Sequence, residues 1–342
     1  MGWSSHGGEI LAEVSPGFTL PWGAVTIDYR MAEFGDFDLE RVVEIALAVR
    51  PDGFESVAEL RDWHDVQRAA GRLCVRWLVS VGGDLVGSAY VGQARWLPPT
   101  AMVLDVTVHP DHQERGLGRE LLERAGATAS ESGAEALLGW AERAVPRTMQ
   151  FLERAGFREV NREWESTLDL SRCDVAELQQ LVDQVTSDGI RIVSAGALAA
   201  DRVDWKYDLH RLYNDVMMDI PTQYPMQRMP FDDFDAMSLG RQFLPDAFLV
   251  AMDGDRLVGL TEPIPVDNVA EAISQSLTGV RSDYRGRGIA SALKAQTAVW
   301  AIESGYTSIR TENSQSNAAM LAVNDRLGFE RNHATIEYLK NL

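Results

Sequence analysis

Cysteine is nearly missing from this chain. Its two copies in 342 residues, Cys74 and Cys173, stand at no metal-ligand spacing. That excludes a disulfide framework and points to a reducing cytoplasm. Positive charge is also short, with 32 Lys and Arg against 51 Asp and Glu and a net charge of −19. Phosphate-backbone binding needs clustered cations, so no nucleic-acid partner is expected. A cationic or amine-bearing small molecule suits the acidic balance better. No apolar run reaches the ~18 residues of a membrane span, so no membrane partner is expected. Residues 1–20 lack the basic start and apolar core of a secretion signal. His109 and His112 have no companions at metal spacing, and no Ser, Cys and His arrangement fits a covalent acyl-enzyme. No metal is expected.

What is present is the composition of a globular protein, 45% hydrophobic and 24% charged, at a length that suits about two domains. The chain is organised around a strand, a glycine turn and a helix. Ile273 to Val280 is apolar, Arg285-Gly286-Arg287-Gly288 is the turn, and Ile289, Leu293, Ala298 and Ile302 recur at helical spacing. Glycines let the backbone approach a ligand closely, and the free N–H groups at a helix start form an anion site. The same form stands earlier, around Gln113-Glu114-Arg115-Gly116-Leu117-Gly118. Gly116 to Gly288, Gly87 to Gly259, Gly133 to Gly305 and Gly156 to Gly328 are all 172 positions apart. A shared phase over that span marks a duplicated domain.

The expected organisation follows from that repeat. Residues 1–22 read as a loose arm, 23–172 as the first copy, 173–188 as a connector and 189–342 as the second copy. Each copy reads as strands, glycine turn, helix, strand, helix, strand, hence a mixed, mostly antiparallel α/β sheet flanked by helices. Asp38 is placed to cap the first helix, and Gly82-Gly83-Asp84 to close a hairpin. Ile220 to Pro230 carries three prolines, has no match in the first copy and reads as a fixed irregular loop.

The Gln113 or Arg285-x-x-Gly-x-Gly/Ala turn resembles that of the GNAT superfamily of acyl-CoA-dependent N-acetyltransferases. So does Ala155-Gly156-Phe157, or Leu327-Gly328-Phe329, downstream, and Asn317 to Phe329 looks like the superfamily's C-terminal half-motif. The tandem plan is similar to that of mycothiol synthase and of uncharacterised bacterial tandem acetyltransferases. The resemblance implies two GNAT-like domains and acetyl-CoA as the acyl donor. In the second copy, backbone from Arg285, Gly286, Arg287, Gly288, Ile289 and Ala290 would hold the pyrophosphate. Leu277, Thr278, Gly279 and Val280 would pair with the pantetheine arm, and Asn317 would contact coenzyme A or cap its helix. In the first copy, Val106, Thr107 and Val108 with Gln113, Glu114, Arg115, Gly116, Leu117 and Gly118 take the same parts. The turn of the second copy is the more basic, which favours it for an anion.

Acetyl transfer needs a neutral amine, an acceptor for its proton and a donor to the leaving thiolate. The family's usual acid is a Tyr four positions before the Gly of the Gly-Phe pair. Here those positions hold Leu152 and Asn324, and neither is a useful acid. Leu152 demotes the first copy to scaffold or half of the substrate cleft. For the base, Glu262 at a strand end is preferred over Glu271, Glu312 and Asp105. Asp219, Tyr224 and Arg228, in or beside the proline-rich loop, are placed to shape an acceptor pocket or to pack the loop. The expected partner is a small-molecule amine, met by a monomer or homodimer. Acetylation of a cysteinyl sugar conjugate and non-catalytic acyl-CoA sensing are the alternatives.

Overall fold

The computed structural model describes residues 26–32, 37–50, 56–143, 145–222, 226–267 and 269–342. The expected N-terminal arm lies outside them. The first copy runs β1 (Ile27–Ala32), α1 (Leu39–Val49), α2 (Val57–Ala69), β2 (Cys74–Val81), β3 (Asp84–Gln93), β4 (Ala101–Val108), α3 (Leu117–Glu131), β5 (Ala136–Glu142), α4 (Pro146–Arg154) and β6 (Arg158–Asp169). Next comes α5 (Val175–Ser187). The second copy runs β7 (Ile190–Ser194), α6 (Ala195–Asp201), α7 (Trp205–Met217), α8 (Phe231–Met237), β8 (Leu249–Asp253), β9 (Arg256–Pro265), β10 (Ala272–Val280), α9 (Ile289–Glu303), β11 (Ser308–Ser314), α10 (Ala318–Leu327) and β12 (Glu330–Asn341).

Local chemistry accounts for the helix starts. The Asp38 side chain accepts from the Arg41 N–H, and Ser56 with Glu59 forms a full capping box on α2. The stretch 173–188, read as a helix-capable connector, holds the helix α5. Its Leu178, Val182 and Val185 are buried, and it packs along α9. The helices α6 and α8 were not expected, since seven residues each are too few to display a 3.6-residue period.

Instead of two separate sheets, the twelve strands form one, in the order β1-β2-β3-β4-β5-β12-β6-β11-β10-β9-β8-β7. All neighbours are antiparallel except β4 with β5 and β10 with β11. The two copies exchange their last strands. β12 pairs with β5 and β6 of the first copy, and β6 pairs with β11 and β12 of the second. Without that exchange β5 and β11 would each present a bare apolar edge.

The repeat also slips locally. Ala101 pairs with Ala136 in the first copy and Ala272 with Ser308 in the second, so β10 starts 171 positions after β4 while β11 starts 172 after β5. A bulge between Gln275 and Leu277 restores the common phase before the glycine turn.

An ionic seam joins the copies on one face of the sheet. Arg72 meets Asp233 through both carboxylate oxygens, with the Asp233 side chain 6% exposed. Arg241 pairs with Asp62 and Asp267, and Ser56 donates to Asp267 at 2.7 Å. Breaking a buried pair strands a charge, at about 3 kcal/mol or more. Asp233→Ala is therefore expected to lower the unfolding free energy by about that amount in a urea titration. A single transition is expected throughout, since neither copy closes its sheet alone.

Candidate active site

The two glycine turns share one geometry. Pro110–His112 and Ser282–Tyr284 each form a 3-10 turn. Gly116 and Gly288 cap α3 and α9 in the left-handed conformation, at φ +83° and +79°. The Gln113 side chain donates to the Val108 carbonyl at 2.9 Å, and Arg285 Nε to the Val280 carbonyl at 3.1 Å. Those side chains brace the turn, whose residues Glu114 to Gly116 and Gly286 to Gly288 are exposed ahead of the helix start, an arrangement suited to phosphate. Beside the first turn a cleft of about 680 Å³ runs to α4, and Arg119, Arg147 and Arg154 line it. Beside the second turn, Arg285 is tied to Asp219, and Arg287 points to the Asp188 carbonyl.

Beyond each turn the parallel strands part. β4 and β5 pair over three residues, as do β10 and β11, and then splay into a V. On the helix-covered side the two Vs have different linings. The first copy presents Ala89, Leu104, Val106, Leu122, Ala125, Gly139, Ala141 and Leu152, part of an apolar core or packed against it. The matching positions of the second copy are Thr261, Gln275, Thr278, Lys294, Thr297, Thr311, Asn313 and Asn324. Six of these are at most 3% exposed: Thr261, Gln275, Lys294, Thr297, Thr311 and Asn324. Thr311 donates to the Gln275 carbonyl at 3.1 Å, linking the strands where they part. Gln275 Nε2 donates to Thr261 Oγ1 at 2.9 Å, and Asn324 Nδ2 to Asn313 Oδ1 at 2.6 Å. The side-chain amide oxygens of Gln275 and Asn324, unlike their backbone carbonyls, are buried with no protein partner. An orphaned buried acceptor costs about 1–3 kcal/mol, so two in one wall mark a place for donors from outside the chain.

The opposite face of the sheet holds a cavity of about 770 Å³ at the junction of the copies. It is bounded by the ends of α1 and α2, by Asp105 to Thr107 at the first V, by Trp140 to Glu142, and by Arg241 and Gln242 after α8. Its floor carries Glu163 and Glu165 of β6, Glu312 of β11, and His333 and Thr335 of β12. Glu165 accepts from Asn332 at 3.0 Å and lies 3.5 Å from His333. Glu312 exposes its side chain to the cavity, where surrounding protein crowds it. Desolvation, then the neighbouring Glu163 and Glu165, pushes its carboxyl up to about 7. Desolvation and Glu337 push Glu163 up to about 7 as well.

The residues expected from the sequence fall in several places. Glu262 lies 4% exposed under α7, where Tyr213 donates to it at 3.4 Å, and burial holds its carboxyl above the usual range. Arg95, reaching across from the first copy, holds its charge near that pair. Asn324 lines the polar V, whereas Asn317 caps α10 by accepting from the Met320 N–H. Asp219 neutralises Arg285, and Arg228 pairs with Asp215, which also binds Arg281. Both thus sit by the second turn rather than on the central cavity. Tyr224 lies outside the described residues. Lys294 and the carboxylate floor were not preferred by sequence reasoning. The signal for Lys294 was its pairing with Leu122 at the repeat distance.

Comparison with known proteins places this geometry. The profile of the Acetyltransferase (GNAT) family matches residues 39–157 and 208–329. A mycothiol acetyltransferase of Kocuria rhizophila is 26% identical over 303 residues, covering 86% of this chain and 94% of that one. One of Saccharopolyspora erythraea is 26% identical over 268 residues, covering 75% and 82%. A tandem GNAT protein from the clavulanic acid biosynthesis pathway superposes with a TM-score of 0.71 at 18% identity, over 92% of this chain and 98% of that one. A GCN5-related N-acetyltransferase from Sphaerobacter thermophilus does so at 0.68 and 19%, over 92% and 95%.

The raised Glu312 carboxyl carries a stability signature. Between the ordinary value of 4.5 and about 7 the folded protein keeps a proton that the unfolded chain has released, so wild-type stability falls as pH rises through that window. Gln cannot titrate. The difference in thermal midpoint between Glu312→Gln and the wild type is expected to grow in favour of Gln from pH 4.5 to 7 and then level off. A difference that is flat in pH refutes the raised value.

Proposed function

The chain belongs to the GNAT acetyltransferase family, and on that premise we propose that it transfers an acetyl group from acetyl-CoA to a primary amine of a small molecule, with the second copy as catalyst. The observation that carries the assignment is the polar wall of the second V. The pantetheine arm bears amide N–H donors and carbonyl acceptors. Gln275 and Asn324 offer buried side-chain amide oxygens with no protein partner, while the equivalent first-copy wall is apolar. Binding at the first copy would bury those amides against Leu104 and Leu152, unpaired.

The second copy then divides the work by face. The turn from Arg285 to Ala290 holds the pyrophosphate with backbone N–H groups at the start of α9. The acetyl thioester supplies an activated carbonyl at the V. The free edge of β10 beyond Ser274 aligns the arm by backbone pairing and polarises that carbonyl. The acceptor enters from the central cavity. Glu312 stands on β11 beside the V and faces that cavity, so it meets the geometric demand on a base more directly than Glu262, which is sealed beneath α7. A carboxyl poised near 7 accepts the ammonium proton and delivers a neutral amine to the carbonyl.

The lining favours a polycationic acceptor such as an aminosugar or a polyamine. Eight carboxylates border the cavity: Glu59, Asp62, Asp65, Asp105, Glu142, Glu163, Glu165 and Glu312. Acetylation of a cysteinyl sugar conjugate is the second reading, favoured by the 26% identity to mycothiol acetyltransferases over most of the chain.

Calorimetric titration with acetyl-CoA tests the assignment. Gly288→Glu puts a side chain and a negative charge where φ is +79°, and is expected to abolish binding. Gly118→Glu is expected to leave affinity within about threefold. Loss with Gly118→Glu alone would move the cofactor to the first copy. No binding by the wild type would refute acetyl transfer, and turnover with a panel of diamines would separate an enzyme from a sensor.

A further inference from the structure

Neither copy has a phenolic acid at the position from which a proton would reach the departing sulfur, yet the second V contains one buried cation. Lys294 lies one and a half turns into α9, on the helix face turned towards α10 and Phe329, and is 2% exposed. Among the described residues its Nζ has no hydrogen bond or ion pair, and it lies over the ring of Phe329, 4.9 Å from the centroid. The backbone N–H of Phe329 bonds to the backbone carbonyl of Asn324, so the ring that Lys294 meets is tied to the end of α10. The residue at the same place in the first copy is Leu122, fully packed in the core. The fold therefore tolerates an apolar side chain here. A lysine costs stability at this site, because burying an ammonium without a partner is unfavourable. Such a cost is retained where it serves a ligand.

We infer that Lys294 is the proton donor to the sulfur of coenzyme A in the transfer reaction, standing in for the missing tyrosine. This rests on the reading that the second V binds acetyl-CoA. As the amine attacks, a C–N bond forms and the C–S bond breaks. Once Glu312 has passed the ammonium proton on to water, its carboxylate takes the second proton from the attacking nitrogen, and Lys294 Nζ gives its own proton to the sulfur. Water then returns a proton from the carboxyl to the amine of Lys294, so no external reagent is consumed. Desolvation lowers the Lys294 ammonium to about 7, which lets it release a proton readily near neutral pH. Asn324, at the position of the missing tyrosine, has no proton to give. The buried Phe329 face stabilises the charged form before transfer.

The test compares wild type, Lys294→Leu and Lys294→Arg. Leu copies the first copy at this position, so the variant is expected to fold, with a thermal midpoint above that of the wild type at pH 6, where the ammonium is charged. Its affinity for acetyl-CoA by calorimetry is expected to stay within about threefold. Its kcat is expected to fall about 100-fold or more, the usual worth of a general acid. Wild-type kcat is expected to decline above about pH 7 as the ammonium loses its proton. Leu abolishes that decline, and Arg moves it beyond the measurable range. A Leu variant with wild-type kcat overturns the proposal, as does one whose only defect is weaker acetyl-CoA binding. An unchanged alkaline limb overturns it too. Failure of the wild type to bind acetyl-CoA would instead sink the cofactor reading on which it rests.

Discussion

The structure depends on the exchange of β6 and β12. Each copy builds a parallel strand pair that splays after three residues, and a splayed pair cannot close its own outer edge. The strand that closes it comes from the other copy, in both directions. That reciprocity makes one continuous sheet, places the ends of both Vs on either side of a shared centre, and brings β5, β12, β6 and β11 into register beneath one cavity. The ion pairs of Arg72 and Arg241 lie on that same face and hold the helices over it. Buried ion pairs contribute little net stability compared with apolar packing, but they fix relative position.

The two Vs share a backbone and differ in what lines it. In the first, Leu104, Leu122 and Leu152 fill the space with apolar volume, and the copy is stabilised by it. In the second, Gln275, Lys294 and Asn324 forgo that stabilisation. A wall of this kind is poorly satisfied by the protein alone and well satisfied by a ligand with alternating donors and acceptors. On the proposed reading, function is a local deficit in folding energy, set against a repeat that keeps the same scaffold without it.

The sequence made much of this legible. Periodicity and the glycine turn placed the start of α9 at Ile289, and the 172-residue phase identified the duplication. Strand exchange was not legible, because β6 and β12 carry the same kind of alternation and either partner satisfies it. Glu262 drew attention as an acid at a strand end, but it is sealed beneath α7. The mismatch of Lys294 with Leu122 was visible, yet lysine in a long amphipathic run ordinarily points to solvent, and only three-dimensional packing reveals that this one does not.

Fusing two copies changes what mutation can reach. In a symmetric dimer built by the same exchange, one codon on the crossing strand would alter both clefts together, and no lineage could specialise one without harming the other. Covalent linkage breaks that tie. Glu163 on β6 enters the sheet beside β11, while its positional equivalent on β12, Thr335, enters beside β5. Each crossing strand thus became an independently heritable part, free to diverge. A carboxylate accumulated at the centre on one of them, without a copy of it being forced into the other.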